Sequence, residues 1–162
     1  MPENSFFAAF YERYYRHVYR TCYMYMKDNA EAEDCTEDVF VKVLTGNYEF
    51  NDENHEKAWL TLTSINLCKD RLKSWWRRKT GPLEEAEFSS YNDTYGIESA
   101  EILKAVMNLP VKYKDVIYLH YYMGYKTEQI SEILKKPPST IRNHLMEARR
   151  KLKKDLGDDI YE

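Results

Sequence analysis

Four histidines and three cysteines are the side chains on which metal or nucleophilic chemistry would draw, and their spacing supports neither. His17, His55, His120 and His144 are scattered, with no HExxH pair and no phosphate-loop glycine pattern nearby. Cys22, Cys35 and Cys68 lack CxxC spacing and have no histidine at ligand distance, so the reading is three packing thiols, no metal, no cofactor and no catalyst. The other candidates are cationic. "KDRLKSWWRRK" at 69–79 holds six Lys and Arg against Asp70, and "RNHLMEARRKLKK" at 142–154 holds six against Glu147. Each segment suits neutralisation of nucleic-acid phosphates. In and just before the second segment, Thr140, Arg142, Asn143, His144 and Glu147 are candidates for reading base edges: Arg pairs with guanine, Asn with adenine, and Glu accepts from cytosine. Arg149, Arg150, Lys151, Lys153 and Lys154 follow and suit phosphates.

These groups must be carried by helices, because the apolar residues recur at three, four and seven. Phe6, Phe7, Phe10, Tyr14, Val18 and Tyr25 predict a long first helix with Ser5 as its cap. A second helix is expected from Asn29 or Ala30 to just before Gly46, with acids in its first turn. "NYEFNDENHEK" reads as a polar loop, and Leu62, Ile65, Leu72 and Trp76 predict a third helix over 57–78. Adjacent helical residues point about 100° apart, so Trp76 continues the Leu72 stripe while Trp75 is expected nearer solvent, against DNA or a partner protein. "GPLEEAEFSSYNDTYG" is acidic and rich in turn residues, hence a flexible linker. Beyond it come a helix stopped by Pro110, another stopped at Gly124, "TEQISEILKK", the Pro137 and Pro138 interruption, and a last helix with Ile141, Leu145, Ala148 and Leu152 on one face. The last pair has helix-turn-helix layout, whose second helix enters the major groove. The fold class is therefore all-α: two small helical domains, 1–80 and 99–162, joined by an acidic linker over 81–98.

Bulk composition narrows the function. The 162 residues are 43% hydrophobic with 15 tyrosines, enough for a core, and a mean hydropathy of -0.74 with no long apolar run argues against a membrane span. The start "MPENSFFAAFYERYY" breaks its apolar stretch with charge and does not read as a secretory signal, so a cytoplasmic location is expected. Net charge is -3, yet residues 81–99 carry five acids and no base, which leaves the basic segments distinct.

"AEDCTEDVFVKVL", "KAWLTLTSINLCKDRLK" and "NLPVKYKDVIYLHYYMGYKTEQISEILKKPPSTIRNHLMEARRKL" together resemble regions two and four of the small bacterial sigma factors of the extracytoplasmic-function group, in order and spacing. The resemblance runs from about Phe6 to Leu156. It implies a dissociable, non-enzymatic subunit that binds core RNA polymerase, directs it to promoters, helps melt them, and answers to an anti-sigma factor that can hold it near the membrane. By position it assigns polymerase docking to Asp34, Glu37 and Asp38. It assigns the minus-ten element, duplex and melted non-template strand, to Asn51, Asn54, Trp59, Asn66, Lys69, Arg71, Lys73, Arg77 and Arg78. A flipped base would enter a pocket formed by the loop at about 50–56 above Asn66. The minus-thirty-five element falls to Ser139, Thr140, Arg142, Asn143, His144, Glu147, Arg149 and Arg150. The acids Glu84, Glu85, Glu87 and Asp93 resemble the segment that runs toward the RNA path. This chain departs from the pattern at Glu37, where glutamine is usual, and at Pro137, Ser139, His144 and Glu147, so promoter preference does not transfer. Two other classes compete with a sigma subunit: a DNA-binding regulator that never joins polymerase, and an enzyme acting on nucleic acid.

Overall fold

The computed structural model describes the backbone of residues 2–78 and 100–157 and the side chains of 6–75 and 100–157. The expected linker lies outside the described residues, as do the side chains of Trp76, Arg77 and Arg78. Among the described residues there are seven helices and no strand: α1 (Pro2–Met26), α2 (Asn29–Thr45), α3 (Glu53–Arg78), α4 (Ala100–Met107), α5 (Val111–Ile117), α6 (Thr127–Leu134) and α7 (Pro138–Leu156). The chain forms two compact units, Met1–Thr94 and Tyr95–Glu162.

In the first unit α1 packs on both α2 and α3. Its buried stripe is Phe10, Tyr14, Val18 and Cys22, a run of fours, followed by Tyr23, Met24 and Tyr25. Phe6 does not join that stripe: it is 67% exposed and stacks on Phe10 at its outer end. The helix begins at Pro2, so Ser5 lies inside it rather than capping it. Asp28 caps α2, its carboxylate accepting the Glu31 N–H at 3.0 Å. Phe40 anchors α2 on α1 through the rings of Phe7, Phe10, Tyr11 and Tyr15, at 6.4, 6.4, 4.7 and 6.5 Å.

α3 starts four residues earlier than the expected Lys57, because Asp52 accepts the His55 N–H at 2.8 Å and caps the helix there. Its buried face also differs from the expected one. Leu60, Thr61, Ser64, Ile65 and Cys68 are buried, whereas Leu62 and Leu72 are only half-buried. Thr61 and Ser64 hide their hydroxyls by donating to the carbonyls of Lys57 and Leu60 at 2.7 and 2.6 Å, so polar letters occupy core positions at little cost. Thr36 does the same on α2, toward Ala32 at 2.7 Å.

In the second unit α7 packs on α4, α5 and α6, burying Ile141, Leu145, Ala148 and Leu152 as the spacing predicts. α5 does not run on regularly to Gly124. It passes into a π-helical turn, Tyr118–Tyr122, closed by the Met123 N–H on the Tyr118 carbonyl at 3.0 Å, before Gly124 turns the chain at φ +75°.

Candidate nucleic-acid and partner interfaces

α2 presents a mixed acidic and apolar face. Ala32, Cys35, Thr36, Val39 and Phe40 point inward, which leaves Asp34, Glu37, Asp38 and Val41 outward at helical spacing, with Leu44 beside them at 59% exposure. The carboxylates are not equivalent. Tyr11 donates its hydroxyl to Glu37 Oε1 at 2.9 Å, and burial followed by that bond pushes the phenol up to about 12. Asp38 accepts from Arg71 at 2.5 Å, and the same guanidinium lies 3.5 Å from Glu31. Pairs this exposed are worth about 0–1 kcal/mol each, so a cationic partner can compete for the acids cheaply.

On α3, Asn66, Asp70 and Lys73 share an exposed face with the half-buried Trp59. The loop before the helix is less polar in action than in letters. Tyr48 and Phe50 lay their rings on Trp59, centroids 4.5 and 5.6 Å away, and Phe50 also stacks on Phe10 at 5.9 Å and meets His55 edge-on. Tyr48 is 46% exposed, and its ring lies so close over Gly46 that a Cβ there would fall 2.0 Å from Cε2. The Asn51 N–H donates to His55 Nδ1 at 3.0 Å, which puts that ring's proton on Nε2. Asn54 is exposed in the first turn of α3, so only the front half of the expected 50–56 loop is loop. Lys69 is half-buried, and Arg71 departs from the phosphate-following expectation by turning toward α2 and its acids. Trp75 is 38% exposed, on the solvent side as its position predicts.

The helix-turn-helix is built by α6, a short turn and α7. The Gln129 side chain accepts the Lys126 N–H at 2.9 Å at the start of α6, and Lys135 takes the left-handed conformation at its end. Pro138 stands at the first turn of α7, and no side chain caps the helix. Ser139 is exposed and makes no capping bond. At 100° per residue Ser139, Arg142, Asn143, Met146 and Arg150 share one exposed face. Met146, at 49% exposure, is the member that sequence reasoning missed, since only polar and charged letters were sought there. An apolar side chain suits a thymine methyl.

Thr140, His144 and Glu147 sit at the edge of that face. His144 meets Tyr113 edge-on at 5.7 Å, and burial, then Lys136 and Lys112, lower its pKa. Glu147 pairs with Arg150 at 3.2 Å. Arg149 lies at the opposite edge, where it donates to the Tyr121 hydroxyl at 2.6 Å and covers that ring at 5.5 Å. The π-helical turn thus positions a cation beside the recognition face. Among the described residues no group of His, Cys, Asp or Glu is arranged to hold a metal, and no helix is long and apolar enough to cross a membrane.

Two family models match in the order of these units: Sigma-70 region 2 over residues 10–78 and Sigma-70 region 4 over residues 99–152. The chain is 24% identical over 152 residues to the ECF RNA polymerase sigma factor SigM of Mycobacterium tuberculosis, covering 93% of this chain and 77% of that one. It is 25% identical over 177 residues to the ECF RNA polymerase sigma factor SigW of Bacillus subtilis, covering 96% and 91%. Its fold resembles that of the sigma factor RpoE solved in complex with the anti-sigma factor NepR from Bartonella quintana, with a TM-score of 0.71, 18% identity, and 94% and 98% of the two chains covered. The chain belongs to the sigma-70 family, within its extracytoplasmic-function group. It is a sigma subunit, the component that directs core RNA polymerase to promoters.

Proposed function

We propose that this sigma subunit divides its work between the two units as the sequence expectation has it, with 1–80 docking on polymerase and engaging the minus-ten element, 81–98 linking, and 99–162 engaging the minus-thirty-five element. The observation that carries the docking assignment is the outward face of α2, where Asp34, Glu37 and Asp38 adjoin exposed Val41 and Leu44. Carboxylates around an apolar centre suit a partner helix rich in arginine. The protein acts by binding alone, without a catalytic group, in the cytoplasm. An anti-sigma factor restrains it, a partner class to which the NepR complex of the similar RpoE fold lends support.

The test is co-elution of the purified chain with bacterial core polymerase on gel filtration, beside a Glu37→Arg, Asp38→Arg variant of unchanged circular dichroism. Loss of co-elution in the variant, with affinity reduced at least 100-fold, is the expected result. If the wild type fails to co-elute yet binds duplex promoter DNA, an independent regulator is the better account.

For the minus-ten element, the exposed ring of Tyr48 on Trp59 and Phe50 offers a surface for an unstacked base. Stacking of this kind is worth about 1–3 kcal/mol per base. Gly46→Ala, which forces Tyr48 off its seat, is therefore expected to weaken binding of a fluorescent non-template minus-ten strand by reconstituted holoenzyme roughly five-fold or more. Duplex binding at the minus-thirty-five element should stay within two-fold, and unchanged single-strand affinity would remove Tyr48 from the site.

A further inference from the structure

The exposed face of α7 is bordered on both sides by cations that meet tyrosines from outside the helix-turn-helix. Two residues of helix turn through about 200°, so Arg149 and Lys151 leave α7 on opposite sides of the face that Arg142, Asn143, Met146 and Arg150 share. On one side, Tyr113 of α5 has Lys151 Nζ over its ring at 5.8 Å and Lys112 Nζ at 5.0 Å. On the other, Tyr121 of the π-helical turn lies under the Arg149 guanidinium at 5.5 Å and accepts its Nε–H at 2.6 Å.

The two sides offer an anion different groups. Lys112 and Lys151 are both exposed, and a tyrosine ring attracts an exposed ammonium only weakly, so two like charges gathered over one ring stay available to a stronger negative partner. Glu147, the acid toward that side of α7, pairs with Arg150 at 3.2 Å. Tyr121 is 53% exposed. Because its oxygen accepts from Arg149, it keeps its own proton to donate, and the guanidinium polarises that donor. The major groove of B-DNA is about 12 Å wide and a helix with its side chains is about 10–12 Å across, so a helix seated there sends its lateral side chains to the phosphates of both strands.

We propose that Lys112 with Lys151, and Tyr121 with Arg149, bind backbone phosphates on opposite strands and so fix how α7 sits in the major groove. The inference rests on the minus-thirty-five reading of 99–162. It adds Lys112 and Tyr121, which lie on α5 and the π-helical turn rather than on α6 or α7. Lys112 contributes a charge and Tyr121 a neutral hydroxyl donor. Neither contact carries sequence information; each positions the side chains that do.

The experiment uses holoenzyme reconstituted with bacterial core polymerase. The probe is a fluorescein-labelled duplex that the wild type enriches from a library randomised over the minus-thirty-five element, and its Kd is followed across a potassium chloride series. Lys112→Gln is expected to weaken binding and to lower the slope of log K against log salt by about 0.9, the share of one phosphate. Tyr121→Phe keeps the ring under Arg149 and removes no charge, so binding should weaken about three- to ten-fold with the slope unchanged. Methylphosphonates placed at single phosphates then map each contact. The phosphate whose neutralisation abolishes the effect of Lys112→Gln should lie on one strand, and the phosphate that does so for Tyr121→Phe on the other. This map decides the matter even where a variant shifts the urea midpoint. Wild-type affinity and slope in either variant would overturn the proposal, as would both contacts mapping to one strand. A library from which no minus-thirty-five sequence is enriched would remove the reading beneath the proposal and the proposal with it.

Discussion

Phe40→Ala is expected to destabilise the α1–α3 unit by about 4 kcal/mol, within the range for emptying a buried phenylalanine site. The cost is at the upper end of what one side chain gives because of what the ring touches. Phe40 is almost wholly buried, and four aromatic rings from two turns of α1 converge on it. Phe7, Tyr11 and Tyr15 cannot all shift into the space, since Tyr11 is tied to Glu37 at the surface. A small helical unit has only about 5–15 kcal/mol in hand, so the loss shows directly in the urea midpoint. Tryptophan fluorescence is the readout of choice because Trp59, Trp75 and Trp76 all lie in this unit. A change below about 1 kcal/mol would mean that the α1–α2 contact is held elsewhere. The same variant should lose polymerase co-elution at 37 °C, since the docking acids ride on the helix that Phe40 anchors.

The elements that positioned these groups were largely readable, and the failures have physical causes. α2 and α7 carry their signals in local chemistry: Asp28 caps one, Pro138 opens the other, and the apolar letters at 141, 145, 148 and 152 repeat at helical spacing. α3 was misplaced on its own axis because Thr61 and Ser64 are polar only until their hydroxyls bond within the helix; hydropathy cannot see that bond. Lys114 and Asp115 are likewise buried on α5 against the expectation for charged residues. The aromatic seat of Tyr48 and Phe50 was hidden by its polar neighbours in "NYEFND". Arg71 was assigned to phosphate by its basic neighbourhood, whereas helical phase turns it to α2. Sequence pattern thus located the helices and the buried face of α7, and it named no side-chain partner across helices.

Acidification from pH 7.5 to 4.5 is expected to cost the wild-type chain on the order of 3 kcal/mol more stability than a His17→Gln variant. His17 is mostly buried between α1 and α3, with Nε2 2.8 Å from Thr61 Oγ1. The Thr61 hydroxyl already donates to the Lys57 carbonyl, so it accepts here and His17 donates from Nε2. That bond is satisfied by the neutral ring. Burial foremost, then the charges of Lys57 and Arg20, lower its pKa from 6.5 to about 4. As pH falls through 6.5 the unfolded chain takes up a proton that the folded chain refuses until about pH 4, so stability declines across that window and is fully present above it. Each pH unit within the window contributes about 1.4 kcal/mol. Glutamine can still donate to Thr61 but cannot titrate, which isolates the histidine from the carboxylates that both proteins share. Urea melts followed by tryptophan fluorescence at the two pH values give the comparison, and parallel pH dependence in the two proteins would show that the folded unit admits the imidazolium.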